Sequence, residues 1–274
     1  MAQLTADRYF TQIQASTAAI AALVDGGDLS LPVPTCPEWT LRHLATHVGR
    51  AHRWAAAITA SRSAQFIPFR EVPDGRIPDD RAEQAAWLTA GAERLIGAVR
   101  DAGDDPVWAF GEMAPAGFWG RRMCHETLVH AADAQLAAGQ RPGLPADVAA
   151  DTIDEWLTVI SGPVLGRPDP RAAGLPQGRA LRVRATDPGL AGPASWRVSH
   201  DGGVVIVARG PAGDQDADGT GAGPADLELS GPAARLLLLL VRRASVAAAT
   251  DGPDPVTVRG DQALLTQWLA ETIF

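Results

Sequence analysis

Residues 121–135, "RRMCHETLVHAADAQ", set Glu126 and His130 four positions apart. At about 100° per residue, two such side chains leave a helix within roughly 40° of each other. His125 points roughly 140° away from His130 and cannot easily share an ion with it. The order of residues is therefore not that of HExxH, in which two histidines four apart bind zinc and the glutamate between them is the base. A carboxylate and an imidazole on one helical face make half of a metal site, and helix bundles complete such sites with ligands from a facing helix. An i, i+4 pair on a solvated polar face is the ordinary alternative.

The facing helix is legible at residues 41–54, "LRHLATHVGRAHRW". Thr40 is a good N-cap, and Leu41, Leu44, Val48, Ala51, Ala55 and Ile58 form one apolar stripe. Measured from the centre of that stripe, His43 lies about 110° away and faces water. His47 and His52 each lie about 70° off, on opposite shoulders, and periodicity does not choose between them. Five of the six histidines fall on these two segments.

Outward from this pair, the first half of the chain reads as helices. One runs from Thr5 to Val24 and stops at Gly26-Gly27, with Phe10, Ile13, Ile20 and Leu23 on its apolar face and Thr17 interrupting it. The proline-rich "LPVPTCPEW" separates it from the second. A third spans Asp80 to Arg100, a fourth Gly117 to Ala138, and a further helix Ala146 to Ile160. With no strand-like segment between them, antiparallel helices of this length predict a four-helix bundle. After Ser161 the pattern changes. A Gly/Pro-rich linker gives way to "LRVRATD", "SWRVSHD" and "GVVIVARG", short alternating or β-branched runs that read as strands. "LELSG", the apolar helix "AARLLLLLVRRA", "VTVRG" and a last helix capped by Asp261 follow. The expected architecture is α plus α+β: a helical bundle over residues 1–165 and a small α+β domain over 178–274.

Composition narrows the function classes. A net charge of −8 lacks the basic footprint of a nucleic-acid-binding protein. The N-terminus has no basic start followed by an apolar run, and "ARLLLLLVRRA" is too short to span a bilayer. Two cysteines, Cys36 and Cys124, with no CxxC spacing, exclude a disulfide framework or a cysteine zinc knuckle. A cytoplasmic protein acting on a small molecule is the expectation.

"VPTCPEWTLRHLATHVGRAHRW" followed by "FWGRRMCHETLVHAADAQ" resembles the mycothiol-dependent maleylpyruvate isomerase family, within the wider DinB-like superfamily. "ADLELSGPAARLLLLLVRR" and "VTVRGDQALLTQWL" resemble that family's second, sterol-carrier-like domain. The resemblance implies a divalent metal, usually zinc, held by His47, Glu126 and His130, and so favours His47 over His52. Two histidines and one carboxylate leave a fourth position open, the catalytic rather than the structural pattern. The resemblance implies mycothiol as the thiol cosubstrate, and metal coordination deprotonates a thiol. The implied reaction is thiolate attack on an electrophilic carbon, giving cis-trans isomerisation or S-transfer.

Other residues near the motifs carry weaker expectations. Asp133 could orient an imidazole, and Arg121 or Arg122 could clamp an anionic substrate. Trp54 and Trp119, with Trp39 and Phe118, could line a cofactor pocket, although aromatics in bundles are more often core. Cys124 reads as a small buried hydrophobe. Arg182, Arg184, Arg197, Arg235, Arg242 and Arg259 are the second domain's candidates to reach the cleft. Two other functions fit the same sequence: a thiol-independent hydrolase using zinc-bound water, and a non-catalytic protein whose second domain holds an apolar ligand.

Overall fold

The computed structural model describes residues 4–160, 169–192, 194–210 and 224–272. It divides into two compact units. One is Thr5–Leu144, and the other starts at Pro145 and includes Leu4.

The first unit is built on four helices: α1 (Ala6–Gly26), α2 (Leu41–Ala60), α3 (Arg81–Ala102) and α4 (Gly117–Ala137). Their starts follow local chemistry. Thr5 and Asp80 accept hydrogen bonds from the backbone N–H two or three residues on. At Thr40 the cap is reciprocal, because the backbone N–H of Thr40 donates to Nδ1 of His43, 3.1 Å away. Helix α1 packs on α3 and α4, and α2 packs on the same two, giving the bundle. Every residue of the expected α2 stripe is buried, and Thr17 lies inside the buried face of α1 rather than breaking it. Val24 takes the core position expected for Leu23.

A hairpin interrupts the helices. Strands β1 (Pro106–Ala109) and β2 (Glu112–Pro115) pair antiparallel between α3 and α4, where the sequence reading places no strand. Each has four residues, too few for a period of two to show, and the turn rests on positive φ at Phe110 and Gly111.

The second unit begins with α5 (Ala146–Glu155), whose last residues pass into a π-helical turn, Trp156–Ile160. The sequence reading groups this helix with the bundle, whereas here it packs against a helix of the second unit. A short helix α6 (Pro170–Gly174), capped by Asp169, lies in the stretch read as linker. Then come β3 (Ala180–Ala185), β4 (Ser195–Asp201), β5 (Val204–Gly210), β6 (Leu227–Gly231), α7 (Ala233–Leu240), α8 (Val246–Thr250), β7 (Thr257–Gly260) and α9 (Gln262–Glu271). The five strands form one sheet in the order β5-β4-β3-β6-β7. β3 and β6 run parallel, and the other neighbours antiparallel. Leu181, Val183, Trp196, Val198, Leu227 and Leu229 are fully buried, as are Leu236 and Leu239 of α7. The leucine run is thus a core helix laid on the sheet and on α5. Asp154 of α5 accepts the indole N–H of Trp196 at 3.0 Å and a hydrogen bond from Arg209. The architecture is helix-rich, then mixed α/β, as the sequence leads one to expect. No helix among the described residues is long and apolar enough to cross a membrane.

Candidate metal centre

His47 leaves α2 toward α4. There its Nε2 lies 2.9 Å from Glu126 Oε1. One turn along α4, His130 Nε2 lies 3.4 Å from the same carboxylate oxygen. The three ligand atoms all lie within 4.8 Å of one another, close enough to share one ion. Side-chain exposure rises from 11% at His130 through 17% at Glu126 to 38% at His47, so the cluster is open on its α2 side. Two imidazole nitrogens and one carboxylate oxygen suit zinc, with one coordination position left for another ligand. The donor set therefore fits the implied ion.

Charge is balanced without an ion. Burial would raise the pKa of Glu126, but the Arg122 guanidinium and hydrogen bonds from His130 and His47 hold it well below the usual carboxylate range. Burial likewise opposes protonation of His130. Its contacts with Asp133, Cys36 and Glu126 outweigh burial and hold the imidazole pKa well above its ordinary value. Arg122, expected as an anion clamp, is buried and spends its guanidinium on Glu126 one turn away. Its placement is that of a counter-charge to Glu126. Arg121 is half-buried beside it.

Asp133 is fully buried, with Oδ2 2.9 Å from His130 Nδ1. Each nitrogen of the His130 ring thus faces a carboxylate. Asp133 is held in turn by the segment before α2. Thr35 donates its hydroxyl to Oδ1 at 2.6 Å, and the Cys36 thiol reaches Oδ2 at 3.6 Å. That segment is a compact turn: Val33 N–H bonds to Trp39 O, Cys36 N–H to Val33 O and Trp39 N–H to Cys36 O, all at 2.9–3.0 Å. Glu38 adopts a positive φ of 69° within it. It brings Trp39 over both clustered histidines, stacked on His130 at 5.9 Å between centroids and tilted against His47 at 5.0 Å. The sequence reading treats this stretch as a helix breaker and assigns no role to Thr35 or Cys36. Its legible signal is a proline-bounded turn directly before the N-cap of the helix that carries His47. Cys36, His130 and Asp133 also form a group of three potential donors. The histidine and the thiol already converge on one Asp133 oxygen, so hydrogen bonding satisfies that group.

The remaining candidates go elsewhere. His52 is buried, and its Nε2 lies 2.8 Å from Thr127 Oγ1. The Thr127 hydroxyl donates to Met123 O, so Nε2 of His52 carries the proton. Burial, helped by the charge of Arg53, pushes the His52 pKa down to about 3. Trp119 is fully buried and donates to Trp108 O, and Trp54, also buried, donates to Ile67 O. Their rings meet edge to face at 5.0 Å in an aromatic core, where a cofactor has no access to Trp119. Of the four aromatics considered, Trp39 is the one against the ligand cluster. His125 and Cys124 are fully buried, and His125 packs on Tyr9 of α1.

Residues 10–135 match the family model described as the mycothiol maleylpyruvate isomerase N-terminal domain. Among solved structures, a crystal structure of the mycothiol-dependent maleylpyruvate isomerase is 19% identical and covers 94% of this chain and 95% of its own, with a TM-score of 0.50. A crystal structure of a histidine-to-alanine mutant of that isomerase is 18% identical over the same shares, with a TM-score of 0.49. At 19% identity and a TM-score of 0.50, the likeness to the first of these is one of fold. The chain has no match among curated proteins.

Proposed function

We propose that the protein is a metal- and mycothiol-dependent enzyme acting on a small electrophilic molecule, a reading supported by the match of residues 10–135 to the mycothiol maleylpyruvate isomerase N-terminal domain model. Isomerisation is the reaction favoured, with S-transfer as the outcome if the adduct persists. The observation that carries this reading is the approach of His47 and His130 to one oxygen of Glu126, at 2.9 and 3.4 Å.

A divalent ion held by these residues, zinc by donor preference, would supply positive charge and an open position at which a cosubstrate thiol becomes the nucleophile for reversible addition to a conjugated double bond. The rest of the work falls to the chain itself. Glu126 offers its carboxylate already ionised, with Arg122 balancing it. Asp133 accepts from His130 Nδ1 and so directs Nε2 toward Glu126. Trp39 covers the imidazoles from one side and keeps water from that flank, while the exposed edge of His47 leaves a way in.

The test is metal content by mass spectrometry on the wild type and on His47→Ala, Glu126→Ala and His130→Ala, with mycothiol titrated by calorimetry. The expected result is about one ion per chain, in the way a single three-ligand site binds, its loss in all three variants, and thiol binding only to the metal form. Metal-free wild type that ignores the thiol overturns the proposal. Turnover of a substrate without any thiol replaces it with the hydrolase reading.

A further inference from the structure

The turn from Val33 to Trp39 reaches Asp133 with Thr35 and Cys36, and His47 and His130 with Trp39, although it contributes none of the three converging donors. We infer that this turn is part of the metal centre and that Thr35 is a positioning residue for His130, acting through Asp133. The inference rests on the function proposed above.

Asp133 is fully buried, so water cannot fill an unused lone pair or steady a rotating carboxylate. Its Oδ2 must stay 2.9 Å from His130 Nδ1 if the ring is to present Nε2 to Glu126. The Thr35 hydroxyl, 2.6 Å from Oδ1, occupies the other oxygen and stops the carboxylate from turning about its bond to the rest of the side chain. Cys36 adds a weaker hold on Oδ2 at 3.6 Å. Trp39, stacked on the His130 ring at an interplanar angle of 23°, limits the ring's tilt. The imidazole is thereby fixed at Nδ1 and on one face, leaving Nε2 as its available donor. Partners of this kind set ligand orientation, and their loss typically weakens metal binding 10–100-fold.

A tie that merely fastens the turn to α4 would change thermal stability and leave metal affinity in the folded protein alone. The two roles separate in one experiment. Zinc affinity is measured by competition with a chromophoric chelator on full-length wild type, Thr35→Val, Thr35→Ser and Asp133→Asn, with melting of the metal-free forms followed alongside. Valine keeps the shape of threonine and removes the hydroxyl donor, whereas serine keeps the donor. The expected result is 10–100-fold weaker zinc binding for Thr35→Val and Asp133→Asn, with Thr35→Ser near wild type. Wild-type affinity in Thr35→Val and Asp133→Asn overturns this inference and leaves the proposed function standing. A wild type that binds no zinc overturns both. Should Thr35→Val fail to fold, the smaller Thr35→Ala carries the same comparison.

Discussion

His52 Nε2 donates to Thr127 Oγ1 across 2.8 Å, and this bond spans α2 and α4 beside the ligand cluster. It takes His52 out of competition with His47, because the ring's one N–H is committed to a hydroxyl buried between the helices. The other ring nitrogen, Nδ1, finds no hydrogen-bond partner among the described residues.

A neutral histidine buried in this way makes folding sensitive to acid. Its pKa falls from 6.5 to about 3 on folding, chiefly through burial. The folded pKa is the depressed one, so the stability is fully present above pH 6.5 and drains away as pH falls from there toward 3. Between pH 7 and pH 5 the expected loss from this residue is about 2 kcal/mol. Urea unfolding at the two pH values should show a clearly flatter dependence for His52→Leu than for wild type. An unchanged slope would mean that His52 is protonated in the fold.

Glu126 and Arg122 form a largely enclosed ion pair one helical turn apart, their side chains 17% and 9% exposed. Removing one partner leaves the other charged and poorly solvated. In metal-free protein, Glu126→Gln or Arg122→Met alone should each cost about 3 kcal/mol. The double variant should be more stable than the sum of the two losses allows, and a double-mutant cycle by chemical denaturation measures that coupling. Simple additivity would show the pair to be energetically idle.

Gly49 of α2, two residues after His47, lets α3 approach closely. A Cβ there would overlap the Trp87 ring, and that ring lies under the Arg53 guanidinium at 4.1 Å. Gly49→Ala is therefore expected to destabilise the protein by about 3 kcal/mol through overpacking. Gly97→Ala, in α3 with open space around the added methyl, serves as the control and should hold or slightly raise the melting temperature.

The place of α5 can be checked by cutting the chain. Asp154 meets the Trp196 indole and Arg209, and the helix packs on α7. A fragment beginning at Pro145 is expected to unfold cooperatively in urea. One beginning at Gly178 should not, since Trp196 and the α7 face lose their cover. Equal cooperativity in both fragments would show α5 to be dispensable.

Periodicity and caps revealed most of this architecture, because both act within a few residues. Thr5, Thr40, Asp80 and Asp261 mark helix starts by local chemistry, and the α2 stripe needs only its 3.6-residue repeat. The β1–β2 hairpin escaped because four residues are too few for a repeat to appear. An amphipathic helix shows that it has a buried face, but not which core that face joins, so from sequence α5 reads with its chain neighbours. His47 and His52 stand equally far from the stripe centre. What separates them is Thr127, 75 residues beyond His52, which no window on α2 contains. The turn holding Thr35, Cys36 and Trp39 has no period at all, and its role depends on Asp133, 98 residues beyond Thr35.

The two carboxylates on either side of His130 have a stoichiometric consequence. Against burial, its contacts with Asp133, Cys36 and Glu126 hold the imidazole pKa well above its ordinary value in the metal-free fold, favouring the protonated ring. An ion that takes Nε2 must first evict a proton, so loading becomes a cation-for-cation exchange rather than a simple uptake. Calorimetry in buffers of different ionisation enthalpy should register about one proton released per ion. Apparent affinity should then rise about tenfold for each pH unit while His130 remains protonated, and acidification alone, without any chelator, should weaken loading reversibly.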